Sequence, residues 1–102
     1  MAKLIAMYGT PKNPSAFDAY YFGTHVPIAK RIPGLRKYEV SEGGIGTPAG
    51  PAPTYLTAIL HFDSMADIQT ALGSPEGQAA AGDIANFADG GVDLYFFEDR
   101  TL

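Results

Sequence analysis

Two hydrophobic periods alternate along this chain. Residues Lys3 to Tyr8 form a short, mostly apolar run stopped by Gly9-Thr10-Pro11, the pattern of a buried strand. Asn13-Pro14 pairs a good helix N-cap with a good first helical position. From there Phe17, Tyr21, Thr24, His25, Ile28 and Ile32 recur at three- and four-residue steps, which predicts a helix with one core-facing side. Pro33-Gly34 ends it. Leu35 to Ser41 returns to period two, with Arg36, Tyr38 and Val40 on one face and Lys37, Glu39 and Ser41 on the other.

Gly43 to Pro53 is too rich in Gly and Pro for regular structure and longer than a tight hairpin needs. A surface linker is expected there, although a lid or an arm reaching a partner would suit the same composition. Tyr55 to Phe62 is the third strand: Leu56, Ala58, Leu60 and Phe62 make an apolar face, and Tyr55, Thr57, Ile59 and His61 a mixed one. Asp63-Ser64 caps a short helix to about Leu72. Ser74-Pro75-Glu76 caps another to about Ala88, with Ala79, Ile84 and Phe87 as buried candidates. Gly90-Gly91 precedes the last strand, Val92 to Glu98.

The order is therefore βαββαβ, a split βαβ arrangement in one α+β domain spanning residues 1–102. An antiparallel four-stranded ferredoxin-like sheet with helices on one face is expected. The other face must meet water or protein. On the last strand Val92, Leu94 and Phe96 alternate with Asp93, Tyr95 and Phe97, so both faces carry large apolar groups. A homodimer with sheets packed face to face is the simplest closed solution.

Composition narrows the function. Seven Lys and Arg stand against 11 Asp and Glu, a net charge of −4, which argues against nucleic acid and supplies no polybasic segment for a membrane. The chain has no Cys, so thiolate nucleophiles, disulfides and Cys-ligated metals are excluded. Met1 to Tyr8 is too short for a signal peptide, and a cytoplasmic location is expected by default. The Gly43-Gly44-Ile45-Gly46 run lacks the following helix of a phosphate loop, and there is no Gly-x-Ser-x-Gly elbow.

The stretch Tyr20-Tyr21-Phe22-Gly23-Thr24-His25-Val26-Pro27 carries the chemistry. Pro27 inside a helix removes one backbone bond and crowds the carbonyl of Gly23, so a kink or irregular turn is expected at residues 23 to 27. His25, on the apolar stripe, is a candidate general acid or base. Equally, it would be a core histidine bonded to the freed carbonyl. Tyr20, Tyr21 and Tyr38 would orient a substrate oxygen. His61 would either share a pocket with His25 or sit near a strand edge. The two histidines find no Asp or Glu partners that complete a ligand set, so no metal is expected. Asp83 and Asp89 read as solvent-facing or turn-capping. Arg31, Arg36 and Lys37 read as a solvated basic cluster.

The run from Tyr20 to Tyr38, with His25-Val26-Pro27 and Ile32-Pro33-Gly34-Leu35, resembles EthD proteins of the dimeric α+β barrel superfamily. Phe62-Asp63-Ser64, Ser74-Pro75-Glu76-Gly77 and Asp83-Ile84-Ala85-Asn86-Phe87 extend the likeness over most of the chain. The resemblance implies a ferredoxin-like fold, a homodimer with a central barrel, and a pocket between sheet and helices. It implies a protein that binds a small hydrophobic molecule as an auxiliary component of a degradative oxidation pathway, as in ethyl tert-butyl ether degradation. No flavin or nicotinamide site is evident, and no cofactor is expected. By analogy with isomerase-like members, His25 and Tyr38 carry over as catalytic residues of a cofactor-free isomerase or cyclase. A non-catalytic structural dimer is the third expectation.

Overall fold

Strands β1 (Ala2–Gly9) and β5 (Thr54–Phe62) pair antiparallel along their length, with Ala2 opposite Phe62 and Ala6 opposite Ala58. They form the centre of a four-stranded antiparallel sheet completed by β2 (Lys37–Val40) beside β5 and β6 (Val92–Glu98) beside β1. The computed structural model describes residues 1–102, and the ferredoxin-like βαββαβ order expected from the periodicities is the order found. No helix is long and apolar enough to cross a membrane.

One sheet face carries Ala2, Ala6 and Tyr8 from β1 with Leu56, Ala58, Leu60 and Phe62 from β5, and every one of these is buried beneath the helices. Helix α3 (Met65–Gly73) lies on β1, β5 and β6, while α4 (Pro75–Asp83) packs on α3 and on α2 (Val26–Ala29). Ser74 joins α3 to α4. Its Oγ donates to the Ala71 carbonyl at 2.6 Å and accepts from the Gly77 N–H at 3.0 Å, so one hydroxyl closes one helix and caps the next. Gly77 must be glycine here, because a Cβ would overlap the Ala71 carbonyl. The helices can therefore approach closely.

The first helical segment has three parts: α1 (Pro14–Tyr20), a π-helical turn (Tyr21–His25) and α2. The Val26 N–H reaches back to the Tyr21 carbonyl, five residues away, immediately before Pro27. This is the irregular turn expected at that proline. Its effect on register is direct. Steps of four residues drift by about 40° around a regular helix. Yet Phe17, Tyr21, His25 and Ala29, four apart throughout, are all buried. The wider turn offsets the drift and keeps His25 facing the core.

Three expectations are corrected. The 43–53 loop contains a small hairpin, β3 (Gly46–Thr47) with β4 (Gly50–Pro51). Thr47 Oγ1 donates to the Gly50 carbonyl and Gly50 takes φ of 130°, so the breakers build the turn that permits the pairing. On α4 Ala80 is buried and Ala79 exposed, because the helix enters through the tight Gly77 contact. The third concerns Asp83, which is buried among side-chain donors while Asp89 accepts from the Lys12 N–H near the surface.

The helix-free face carries Ile5, Ile59, Tyr95 and Phe97, with Lys3, Lys37, Glu39 and His61 among them. Tyr95 and Phe97 are largely exposed. The Arg31, Arg36, Lys37 cluster is solvated: Arg36 pairs with Asp63 at 2.8 Å and Lys37 with Glu39 at 3.5 Å, both at the surface.

Candidate functional site

Small residues on facing walls leave space between sheet and helices. Ala6 and Ala58 sit opposite each other on the sheet, and Ala29, Gly77 and Ala80 face them from the helices. The gap is a cavity of about 70 Å³, lined almost wholly by apolar groups and opening past Leu72 and Leu94, both partly exposed. Its polar lining consists of Tyr8, His25 and Tyr38. A volume of this order is far below the roughly 300–1,000 Å³ of drug-sized sites and suits a compact ligand.

His25 is 4% exposed. Its Nδ1 lies 2.9 Å from Asp83 Oδ2, at the end of α4. The other carboxylate oxygen of Asp83 accepts from Tyr20 Oη at 2.6 Å and from Asn86 Nδ2 at 3.1 Å. Burial pushes the Asp83 carboxyl up, but the hydrogen bonds from Tyr20, Asn86 and His25 outweigh it and hold the group below the usual carboxylate range. An ionised Asp83 accepts a hydrogen bond from Nδ1–H. The imidazole is thereby fixed in one orientation, and Nε2 carries the free lone pair when the ring is neutral. Nε2 bonds to no group of the chain and is not sealed from solvent, as an atom facing the cavity must be. His25 also rests on Phe87, with ring centroids 4.7 Å apart.

A second polar pair lies beside the imidazole: Tyr38 lines the cavity, while Tyr21 lies behind it with its ring centroid 5.4 Å from that of His25. Tyr21 Oη and Tyr38 Oη are 2.7 Å apart, and Tyr21 is fully buried. Burial, first of all, raises both hydroxyls above the ordinary phenol range, so both are neutral near pH 7. Tyr8, Phe17, Tyr21 and Phe87 pack around this corner at centroid distances of 5.4 to 5.7 Å, Phe17 stacked on Tyr21 and the other contacts edge to face or tilted, which fixes the hydroxyls in place.

The structure thus brings together His25, Tyr21, Tyr38 and Tyr20, the last through Asp83 and not by facing the cavity. His61 does not join them. It belongs to the opposite sheet face, since residues alternate along β5, and its Nε2 bonds Glu39 Oε1 at 2.6 Å. That bond holds the Glu39 carboxyl below its usual range. The freed-carbonyl partner expected for a core His25 is replaced by Asp83. Sequence reasoning missed Asp83 and Tyr8. The Asp-Ile-Ala-Asn-Phe run after a Ser-Pro capped helix held the first, and the outermost aromatic of β1 was the second. No group of three or more His, Asp and Glu side chains is arranged to hold a metal ion.

A larger open groove of about 660 Å³ runs between the β3–β4 arm and α1, past Asp18, Glu42 and Tyr55. There Tyr55 Oη is already committed to Asp18 at 2.8 Å. The smaller, mostly apolar cavity holds the convergent buried groups.

Residues 10–91 match the EthD domain family. A Rhodococcus erythropolis 11.0 kDa protein of the thcB-thcC intergenic region is 37% identical over 102 residues, covering 100% of this chain and 98% of its own. The crystal structure of an EthD family protein from Bacillus halodurans is likewise 37% identical, with a TM-score of 0.89 over 98% of this chain and 99% of that one. A dimeric ferredoxin-like protein from Thermobifida fusca, 15% identical, shares the fold with a TM-score of 0.66 over 94% and 88% of the two chains. This chain belongs to the EthD family.

Proposed function

We propose that this chain binds a small hydrophobic molecule in the cavity between sheet and helices and moves a proton on it without a cofactor, in the manner of an isomerase or cyclase. The observation that carries the reading is the Nδ1–Asp83 bond, which leaves His25 Nε2 as the one basic atom turned to an apolar cavity. Nε2 takes the proton, and the Asp83 carboxylate stabilises the imidazolium that forms. The Tyr38 hydroxyl, backed by Tyr21, binds the substrate oxygen. Asp83 and Tyr20 position His25 and touch no substrate.

Assembly belongs to the same proposal. Ile5, Ile59, Tyr95 and Phe97 on the helix-free face suit a homodimer packed sheet to sheet, and the Thermobifida fusca protein of the same fold is described as dimeric. A second reading is favoured by the Bacillus halodurans relative, named for ethyl tert-butyl ether. In it the chain holds its ligand without turnover, as an auxiliary component of a degradative oxidation pathway.

Acetone, small enough for the cavity and enolisable, tests both. The two histidine ring signals are followed by NMR during titration, along with deuterium entry into the acetone methyls from D2O. The expected result is movement of His25 but not His61, with exchange above the buffer rate that is lost in His25→Gln. Binding without exchange favours the auxiliary reading. A titration that leaves His25 unmoved sinks both.

A further inference from the structure

Tyr8 is the outermost aromatic of β1 and only 2% exposed, yet its hydroxyl bonds to no group of the chain. It is not sealed among apolar atoms either, because no fully enclosed side-chain oxygen or nitrogen lacks a partner. The hydroxyl therefore reaches the cavity that Tyr8 lines. A phenol without a protein partner is an expensive feature of a small core, since a Phe would fill the same volume without the polar penalty.

The Tyr21–Tyr38 pair points the same way. Tyr21 Oη is buried and Tyr38 is its hydrogen-bond partner. If Tyr38 donated, the Tyr21 proton would be left unpaired in the core. Donation from Tyr21 to Tyr38 avoids that cost and frees the Tyr38 proton for the cavity. Two phenolic O–H donors, Tyr8 and Tyr38, then line the same small space as His25, whose Nε2 is left as an acceptor. Burial raises both phenols above their ordinary range, so both remain donors. The cavity lining contains no Lys, Arg, Asp or Glu.

We infer that Tyr8 is a substrate-binding residue which, with Tyr38, cradles one substrate oxygen, and that the ligand is a neutral carbonyl compound with an acidic C–H. This rests on the proton-transfer reading above and extends it to a substrate class. The C–H bond adjacent to the carbonyl breaks, its proton passes to Nε2, and its electron pair moves into the carbonyl to give an enolate oxygen. Tyr8 and Tyr38 donate to that oxygen, where charge-assisted hydrogen bonds strengthen as charge develops. Return of the proton to the same or a conjugated carbon completes exchange or isomerisation with no further reactant. Carboxylates are excluded because no cation in the lining offsets their desolvation.

Wild type, Tyr8→Phe and His25→Gln are titrated with acetone, isobutene and acetate. Tyr8→Phe is expected to weaken acetone about fivefold, as loss of one hydrogen bond would, and to slow methyl exchange by about a further tenfold. Isobutene binding should be unchanged, and acetate should not compete. If isobutene and acetone lose affinity alike, Tyr8 only packs and the inference fails. Unaltered acetone binding in Tyr8→Phe, or competition by acetate, also overturns it while leaving the cavity reading intact. If neither isobutene nor acetone binds wild type, the cavity reading itself falls, and this inference with it. Exchange that survives His25→Gln removes the proton-transfer step, and the isobutene comparison then decides Tyr8 alone.

Discussion

Asp83 and His25 lie 58 residues apart in the chain and meet at 2.9 Å, through a carboxylate at the end of α4 and an imidazole at the end of a π turn. Neither element would place its residue there alone. The close α3–α4 joint at Ser74 and Gly77 sets where α4 ends, and the wide turn before Pro27 sets which way His25 faces.

Asp83→Ala should leave Tyr20 Oη, Asn86 Nδ2 and His25 Nδ1 without their acceptor. A loss of about 2–4 kcal/mol in urea unfolding is expected, by the cost of unpaired buried polar groups. Asp83→Asn keeps the shape and one acceptor oxygen and should cost less. In both variants the His25 ring signals should broaden or shift as the orientation is lost. Unchanged ring signals would mean that Asp83 does not hold the imidazole.

Tyr8→Phe should behave in the opposite sense. The hydroxyl has no protein partner to lose, so the variant should melt at or above the wild-type temperature. A marked fall in melting temperature would show that the hydroxyl is bonded within the fold.

Tyr95→Asp with Phe97→Asp places charge on the helix-free face and should separate the proposed homodimer. Sedimentation equilibrium should then report a 10.8 kDa monomer. The Asp83–His25 pair, on the other side of the sheet, should keep its NMR signature. A wild type that sediments as a monomer would remove the sheet-to-sheet assembly.

Stability should fall at both ends of the pH scale. The carboxyls of Asp83, Glu39, Asp63 and Asp99 sit below their ordinary range in the folded chain. Their contribution is present above the unfolded value and is lost as pH falls through the lower folded one, in the acid region below about 4. Tyr8, Tyr21 and Tyr38 titrate above the ordinary 10.0, chiefly because of burial. Their contribution is full below that value and declines as pH rises past it. Denaturant midpoints across pH 2 to 12, roughly, would check both limbs, and Tyr21→Phe should flatten the alkaline one.

The sheet, its strand order and its buried face were legible because period two and the Gly/Pro stops were consistent from β1 to β6. Position in the chain says less about a site. Asp83 follows Ala80-Ala81-Gly82 and resembles a surface residue at the end of a small-residue helix. Its burial depends on Gly77 letting α4 sink against α3, a distance that periodicity does not encode. His61 misled because it sits beside Phe62, which is buried, and sequence neighbours on a strand face opposite ways. Tyr8 reads as one more position of a buried strand because its ring does pack, and only the lone hydroxyl marks it out.

The π turn at Tyr21–His25 behaves as one residue more than an ordinary helix would need between Phe17 and Ala29. Wound as a regular spiral with no residue removed, the same segment would advance everything downstream by about 100°. The helix would survive such a rewinding, and so would the strand order. The imidazole would swing away from Asp83, and the chain would keep its fold while losing the phase on which its chemistry depends.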